Sequence, residues 1–569
     1  MYTDFTSQQM LNDIKENIDW WRGAVIYQIY PRSFNDSNGD GIGDLRGITA
    51  RLAYISGLGV DAIWICPFYA SPMEDGGYDV SDYRAVHPMF GTLEDFDELI
   101  KQAHQFKIKV MIDLVLSHTS NQHEWFVQSQ KKDKNKYSDW YVWADGKSLN
   151  SGDKRNANTT PEPPNNWLSL FGGSAWEWSQ ERGQYYLHNF WKSQPDLNFH
   201  NLALQTEILN IVEFWLKRSV DGFRIDTANY FFHDILLRDN PKAEHTLTRA
   251  DGLPAGTEYA EQQHIYDKSQ PENLVFLARL RSLMDCYKHR VLLAEIGDDH
   301  ALERMAEYTR GNDRFHMAYS FHLLEGNFDI DSVSRLLTEI DMGLQLGWPC
   351  WSLSNHDVPR AVSRWFPNTN EEAKTKLNVL LLALLVSLRG SLCIYQGEEL
   401  GLDEAEVPFE LMQDSFGITH WPKFKGRDGC RTPIPWNGIA PGYGFSNAEK
   451  TWLPISEKHG LQNAVSQSKH TDSVLNTCKK LIKFRHENNA MRVGNFKVNK
   501  VNSGCLEIER QYMQQKITIL LNFSDQEHIL QNHTSLGGQI EEHMLPSTGK
   551  YLNGELQLPP YSATFIRNG

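Results

Sequence analysis

The sequence predicts a (β/α)8 barrel interrupted by two insertions and followed by an antiparallel β-sandwich. Three observations predict it. Eight short apolar runs recur between Ala24 and Gln396. Several of the stretches between them, such as Leu93–Phe106 and Gln205–Arg218, have the length and spacing of amphipathic helices. Beyond about Leu481 the pattern changes to short alternating segments, such as Cys505–Glu509 and Ile517–Asn522.

The eight runs are Ala24–Pro31, Asp61–Pro67, Lys109–His118, Gly222–Ala228, Arg290–Ile296, Ala318–Leu323, Cys350–Asp357 and Ser391–Gln396. They are apolar almost throughout, as parallel strands covered on both faces must be. Their spacing is uneven. Residues 21–118 read as the first part of the barrel and 194–399 as the second. Between them, 119–193 is polar and rich in Asn, Gly, Pro and Trp, which reads as an inserted domain. A second insertion spans 400–460, the last barrel helix 461–488 and the sandwich 489–569. The apolar run Leu377–Leu388 is shorter than the ~20 residues of a membrane span and reads as a buried helix.

Composition narrows the function. The length of 569 residues suits about three or four domains. The net charge of −16 excludes nucleic acid and anionic membrane as main partners, since both demand clustered Lys and Arg. The first twenty residues lack a basic start followed by an apolar stretch, so no secretion signal is evident. Seven cysteines occur without a C-x-x-C pair, which suits buried reduced thiols rather than zinc. These features predict a cytoplasmic protein that is a monomer or a homodimer.

Barrel chemistry sits where strands end, and acids stand there repeatedly. The fourth run carries Gly222-Phe-Arg-Ile-Asp226, the fifth Leu293-Ala-Glu295 and the seventh Ser354-Asn-His-Asp357. His118 closes the third, and Asp75 and Tyr78 follow the second. A lone Asp at a strand end is often a helix cap. Three acids with two histidines and an arginine on different strand ends fit glycoside hydrolysis instead. Arg224 lies two residues before Asp226, so both side chains point the same way and the guanidinium keeps Asp226 ionised, as a nucleophile needs. Glu295 is then the proton donor, with its pKa raised by neighbouring carboxylates.

A separate loop, Asp36-Ser-Asn-Gly-Asp-Gly-Ile-Gly-Asp44, sets oxygen donors at alternate positions. That pattern suits a hard cation such as Ca²⁺ or Mg²⁺. Its twelfth position is Gly47 rather than Glu, so it is not an EF-hand.

The stretches AVIYQIYPRSF (24–34), DGGYDVSDY (75–83), DLVLSHTS (113–120), FGGSAWEW (171–178), QPDLN (194–198), GFRIDTAN (222–229), AEIG (294–297), SNHDVPR (354–360), YQGEELG (395–401) and GRDGCRTPIPW (426–436) stand in a known order. With them the chain resembles the alpha-amylase family of glycoside hydrolases, in its α-glucosidase and oligo-1,6-glucosidase branch. The resemblance runs from Trp21 into the tail. It implies Asp226 as nucleophile, Glu295 as general acid/base and Asp357 as the carboxylate that holds two glucose hydroxyls. It implies Asp75 and Arg427 as an ion pair gripping the non-reducing-end glucose and closing the far side of an exo-acting pocket. Tyr78 would stack beneath the ring, His118 and His356 would bond its hydroxyls, and Phe171 and Phe190 would wall the pocket. One structural cation would be held by Asp36, Asn38, Asp40, Asp44 and the carbonyl of Ile42. No organic cofactor is implied.

Departures from the family pattern are few. Ser117 stands where the pattern has Asn, which argues against a further cation site there. Gly429 and Cys430 replace Asn-Ala, and neither is expected to touch Arg427. Thr227, directly after the nucleophile, resembles α-1,4-specific maltases, where Val resembles α-1,6-specific enzymes. The segments 226–234 and 256–273 carry the same lean. The expected substrates are therefore small α-1,4-glucosides such as maltose, with net retention and glucosyl transfer to acceptors other than water. Oligo-1,6-glucosidase, sucrose hydrolase and sucrose isomerase are the alternatives on the same machinery. A non-catalytic binding subunit is remote, because all three acids are kept and no anchor is present. The tail shows no exposed aromatic row that would mark a carbohydrate-binding module.

Overall fold

The computed structural model describes residues 20–568 apart from 148–159, 244–256, 327, 344–346, 502–503 and 532–537. Residues 1–19, most of the stretch inspected for a secretion signal, lie outside the described residues, as does Gly256. Eight parallel strands form one sheet: β1 (Val25–Ile29), β2 (Ala62–Ile65), β3 (Lys109–Val115), β4 (Gly222–Asp226), β5 (Val291–Ile296), β6 (Met317–Ser320), β7 (Cys350–Trp351) and β8 (Ser391–Tyr395). Their order is β6-β5-β4-β3-β2-β1-β8-β7. A parallel bridge between Ala318 and Pro349 joins the two ends and closes the barrel. Seven of the eight runs expected to be barrel strands contain one, and the run Ala318–Leu323 overlaps β6, which starts one residue earlier.

The observed strands are shorter than the apolar runs. β3 ends at Val115 and β7 at Trp351, so His118, His356 and Asp357 ride on the loops that follow. Beyond β6 the chain tightens into a 3-10 turn, Phe321–Leu323, within the apolar run expected to be strand. Helix starts obey their capping chemistry. Thr92 and Asp95 form a reciprocal capping box at the head of Leu93–Gln105, and Asn201 caps Leu202–Lys217. The apolar run Leu377–Leu388 lies almost wholly in the helix Glu371–Ser387, whose second half is buried.

Both insertions stand over the barrel mouth. The first holds a small antiparallel sheet of Trp143–Ala144, Gln184–Leu187 and Trp176–Ser179, with its own core around Trp167, Trp176 and Tyr185. A bridge between His118 and Asp196 pins its exit to the end of β3. The second brings the short helix Ser415–His420 and the 3-10 turn Asp428–Arg431 to the same place.

The tail pairs β9 (Asn495–Lys500), β10 (Cys505–Tyr512) and β11 (Gln515–Asn522) with β12 (Ser562–Asn568) in an antiparallel sheet edged by Gln539–Ile540. A three-stranded sheet completes it. Arg510, fully buried, fastens the tail to the barrel. Its Nη1 donates to the carbonyls of Ser387 and Leu388 at 2.9 and 2.8 Å, where the helix Glu371–Ser387 leaves acceptors open. Cys66, Cys350, Cys393, Cys430 and Cys478 are buried free thiols, Cys505 is buried as well, and Cys286 is exposed. Among the described residues no helix is long and apolar enough to cross a membrane.

Candidate active site

Strand register builds the floor of the site. Arg224 on β4 stands opposite Asp113 on β3, and Glu295 on β5 stands opposite Tyr319 on β6. Arg224 is wholly buried, so its charge must be answered on the spot. Its Nη1 donates to Asp113 Oδ1 at 2.8 Å and to Asp226 Oδ1 at 2.6 Å. Its Nη2 reaches Glu295 Oε1 and donates to the Tyr319 hydroxyl at 2.9 Å. Tyr319 in turn donates to Glu295 Oε1 at 2.7 Å. One guanidinium thus fixes two carboxyls of the proposed chemistry from below.

Thr227 follows Asp226 with φ of 43°, a conformation costly for a β-branched residue. The twist aims its backbone N–H at Glu295 Oε2, 3.1 Å away, while its hydroxyl donates to Asp226 Oδ2 at 3.2 Å. Local strain therefore ties the two acids together.

Asp357 faces cations from another side. Arg431 Nη2 donates to its Oδ1 at 3.0 Å, and Arg427 Nη1 does so at 3.3 Å. His356 Nε2 lies 3.1 Å from its Oδ2. Gln28 donates to His356 Nδ1 at 2.9 Å, so the neutral ring carries its proton on Nε2, an atom that makes no hydrogen bond among the described residues.

The charge states separate accordingly. Burial pushes Glu295 up to about 7 against the pull of Arg224, with the charges of Asp226 and Asp357 adding to the rise. Burial pushes Asp226 up to about 6, again opposed by Arg224. Burial also acts on Asp357, but His356, Arg427 and Arg431 together overcome it and hold the carboxyl at about 2. Two expectations are corrected here. Desolvation, more than neighbouring carboxylates, raises Glu295. Arg224 orients Asp226 but does not hold it below its ordinary range.

These groups surround one cavity of about 790 Å³, its open mouth included. Ten of the twelve expected site residues line it: Asp75, Tyr78, His118, Phe171, Phe190, Asp226, Thr227, Glu295, Asp357 and Arg427. Arg224 and His356 sit just behind the wall. Arg427 Nη2 donates to Asp75 Oδ1 at 2.7 Å. Tyr78 stacks on His356 with centroids 5.2 Å apart, and its hydroxyl donates to Asp113 Oδ2 at 2.9 Å. Phe190 packs beside His118, and Phe171 lies against Phe190 and under the Arg427 guanidinium.

Several members escaped the sequence reading. Asp414 accepts from Arg427 Nε at 3.1 Å and Nη2 at 2.7 Å, so the gripping arginine serves three acids, Asp75, Asp357 and Asp414. Asp113 and Arg431 lie inside motifs already noted, DLVLSHTS and GRDGCRTPIPW. Strand alternation from Asp113 would have pointed it inward beside Arg224. Nothing local marks Tyr230, Phe321, Phe416 or Phe424, which also line the cavity. Cys430 does touch Arg427, contrary to expectation: its thiol donates to the Arg427 carbonyl at 3.0 Å.

In the loop 36–44, Asp36 Oδ1 accepts the N–H groups of Asn38 and Gly39, and Asp36 Oδ2 that of Gly41. Asp40 accepts from Ile42, and Asp44 caps the helix Leu45–Ala50 through Gly47. Among the described residues no three acidic, His or Cys side chains converge as a ready ligand group.

Residues 28–494 match the family model described as "Alpha amylase, catalytic domain". The chain belongs to the alpha-amylase family. Among its relatives, a "Probable alpha-glucosidase" of Rhizobium meliloti (strain 1021) is 49% identical over 96% of this chain and 97% of its own. An "Oligo-1,6-glucosidase" of Heyndrickxia coagulans is 35% identical over 89% and 92%. The crystal structure of the α-glucosyl transfer enzyme XgtA superposes with a TM-score of 0.90 at 48% identity, covering 97% of this chain and 99% of that one.

Proposed function

We propose that this alpha-amylase family member is a retaining α-glucosidase. It removes glucose from the non-reducing end of short α-1,4-glucosides such as maltose and transfers it to water or to other hydroxyl acceptors. The observation that carries the reading is the pairing of Asp226 with Glu295 in a cavity whose other end is spanned by Arg427 and Asp75. A glucose ring seated against that ion pair has only its anomeric side open to the two acids.

The chemistry follows from the charge states. Ionised Asp226, held by Arg224, attacks the anomeric carbon while protonated Glu295 gives its proton to the departing oxygen. A β-glucosyl ester forms on Asp226. Glu295, now ionised, takes a proton from the incoming water or sugar hydroxyl, which attacks the same carbon and releases Asp226. Two inversions give net retention. Asp357 stays ionised, and its charge steadies the oxocarbenium-like transition state. Its position between His356 and two arginines suits a grip on vicinal hydroxyls.

The lean to α-1,4 linkage rests on Thr227, which borders the cavity on the leaving-group side of Asp226. The test is product analysis on maltose, isomaltose, sucrose, trehalose and maltotriose, recording the anomer of the glucose first released. Faster turnover of isomaltose than maltose overturns the linkage, β-glucose overturns retention, and isomerised sucrose points to the related synthase chemistry.

The same reading includes one structural Ca²⁺ or Mg²⁺ held by Asp36, Asn38, Asp40, Asp44 and the Ile42 carbonyl. The donor set is all oxygen, as a hard cation prefers. Ser446 donates to Asp36 and so ties the loop to the second insertion, which suits a stabilising role. The buried free thiols of Cys66, Cys350, Cys393, Cys430 and Cys478 suit a reducing compartment, and we place the enzyme in the cytoplasm as a monomer or homodimer.

A further inference from the structure

A chain of short polar contacts leads from the proposed nucleophile to the other wall of the cavity. Thr227 Oγ1 lies 3.2 Å from Asp226 Oδ2, and Ser117 Oγ lies 2.8 Å from Thr227 Oγ1. His118 Nδ1 lies 2.9 Å from Ser117 Oγ, and its Nε2 lies 3.0 Å from the Tyr78 carbonyl. Both ends of this chain are acceptors: a carboxylate and a carbonyl.

The protons do not suffice. Four contacts need four protons, but two hydroxyls and a neutral imidazole supply three. His118 is neutral near pH 7, since burial pushes it down to about 4. One contact must therefore lack a proton, and the ring tautomer decides which. With the proton on Nε2, His118 satisfies Tyr78, and Ser117 must donate to Nδ1. The missing proton then falls beside the ionised Asp226 or between two hydroxyl oxygens 2.8 Å apart. With the proton on Nδ1, donation runs unbroken from His118 to Ser117, Thr227 and Asp226. The bare contact then faces a neutral carbonyl, and Gln194 Nε2 stands 3.3 Å from Nε2 to donate in its place. The second arrangement leaves the weaker repulsion.

We propose that Ser117 and Thr227 form a hydroxyl relay that couples the tautomer of His118 to the charge of Asp226, keeping the ring proton on Nδ1 while Asp226 is ionised. The Nε2 edge lies among Tyr78, Gln194 and Asp75, all of which line the cavity. In the free enzyme that edge is an acceptor for a sugar hydroxyl. Once the carboxylate charge is consumed in the glucosyl ester, the pull on the relay ends and Nε2 can regain the proton. Ser117 and Thr227 act as positioning residues.

The inference rests on reading Asp226 as the nucleophile. That reading is tested separately by locating the ester left on Asp226 by a slow fluorinated glucosyl donor, using peptide mass spectrometry. The relay is tested on the unliganded full-length enzyme by neutron diffraction from crystals in D₂O at neutral pD. A deuteron on His118 Nδ1 with a bare Nε2 is expected; a deuteron on Nε2 aimed at Tyr78 overturns the relay. Kinetics give a second readout. Arg224, Glu295 and Asp113 also face Asp226, and Asp75 faces the His118 side, but changes at Ser117 leave all four in place. Ser117→Ala is expected to move the acid limb of kcat/KM upward by about half a unit to one unit, and Ser117→Thr to restore it. An acid limb that stays put in Ser117→Ala overturns the proposal.

Discussion

Arg427 donates to Asp75 across 2.7 Å, joining residues that lie 352 positions apart in the chain. The contact bridges the second insertion and the loop after β2, and it sets where the cavity ends. Asp414 shares the same guanidinium, and all three side chains are buried. Replacing Arg427 with Met leaves two carboxylates in a poorly solvated place without their cation. Removing one partner of a buried pair costs about 3–5 kcal/mol. Arg427→Met should lower stability by that order in urea titrations and raise KM for maltose more than it lowers kcat. Unchanged stability and an unchanged KM would show that the bridge neither closes nor supports the pocket.

The pH profile follows from two acids that must be in opposite states. Asp226, raised to about 6 by burial, has to be ionised, so activity falls as pH drops through that value. Glu295, raised to about 7 by burial, has to be protonated, so activity falls as pH climbs past it. The kcat/KM profile should be a bell with limbs near those values, belonging to the coupled pair. Glu295→Gln should cut maltose turnover by about 10²–10⁴-fold, the usual contribution of a general acid. It should also abolish the alkaline limb on a glucosyl donor whose leaving group needs no proton. An alkaline limb that survives in Glu295→Gln assigns it to another group.

Linkage choice is concentrated at Thr227. Replacing its hydroxyl by a methyl keeps the bulk and removes the donor to Asp226. A change of this size at the leaving-group side decides about 1–3 kcal/mol, or roughly 10–200-fold in relative rate. Thr227→Val should shift the ratio of maltose to isomaltose hydrolysis toward isomaltose within that range. A ratio that does not move places linkage selection elsewhere on the rim, where Tyr230 and Phe321 also stand.

The barrel was legible because a buried parallel strand writes its burial into every residue, and eight such runs leave little choice of topology. The acids were legible because strand ends are where a barrel keeps its chemistry. Strand limits were less so: the apolar run around β7 continues to Leu353, although pairing stops at Trp351. Tertiary contacts, which no local pattern encodes, supplied the rest. Asp414 meets Arg427 only because the second insertion folds back, and Phe416 reaches the cavity by the same fold. The charge states were half legible. Identity and spacing showed which acids face Arg224, but only burial decides that Glu295 and Asp226 rise while Asp357, met by three cationic or imidazole partners, falls.

The loop 36–44 makes the last prediction. Its carboxylates accept six backbone N–H groups, from Ser37, Asn38, Gly39, Gly41, Ile42 and Gly47, so the turn has hydrogen bonds of its own. Three negative charges within nine residues still repel one another, and a hard cation relieves that repulsion. Any ligand that binds the folded state alone adds stability as its concentration exceeds its Kd, about 2.7 kcal/mol at a hundredfold excess. Calcium or magnesium should therefore raise the Tm by several degrees in calorimetry, and a chelator should reverse the gain. Asp40→Asn should remove most of the response, because Asp40 is exposed and contributes little else to the fold. The maltose KM should barely change, since the loop lines no part of the cavity. A Tm indifferent to both cations would leave the loop as a turn held by its own amides alone.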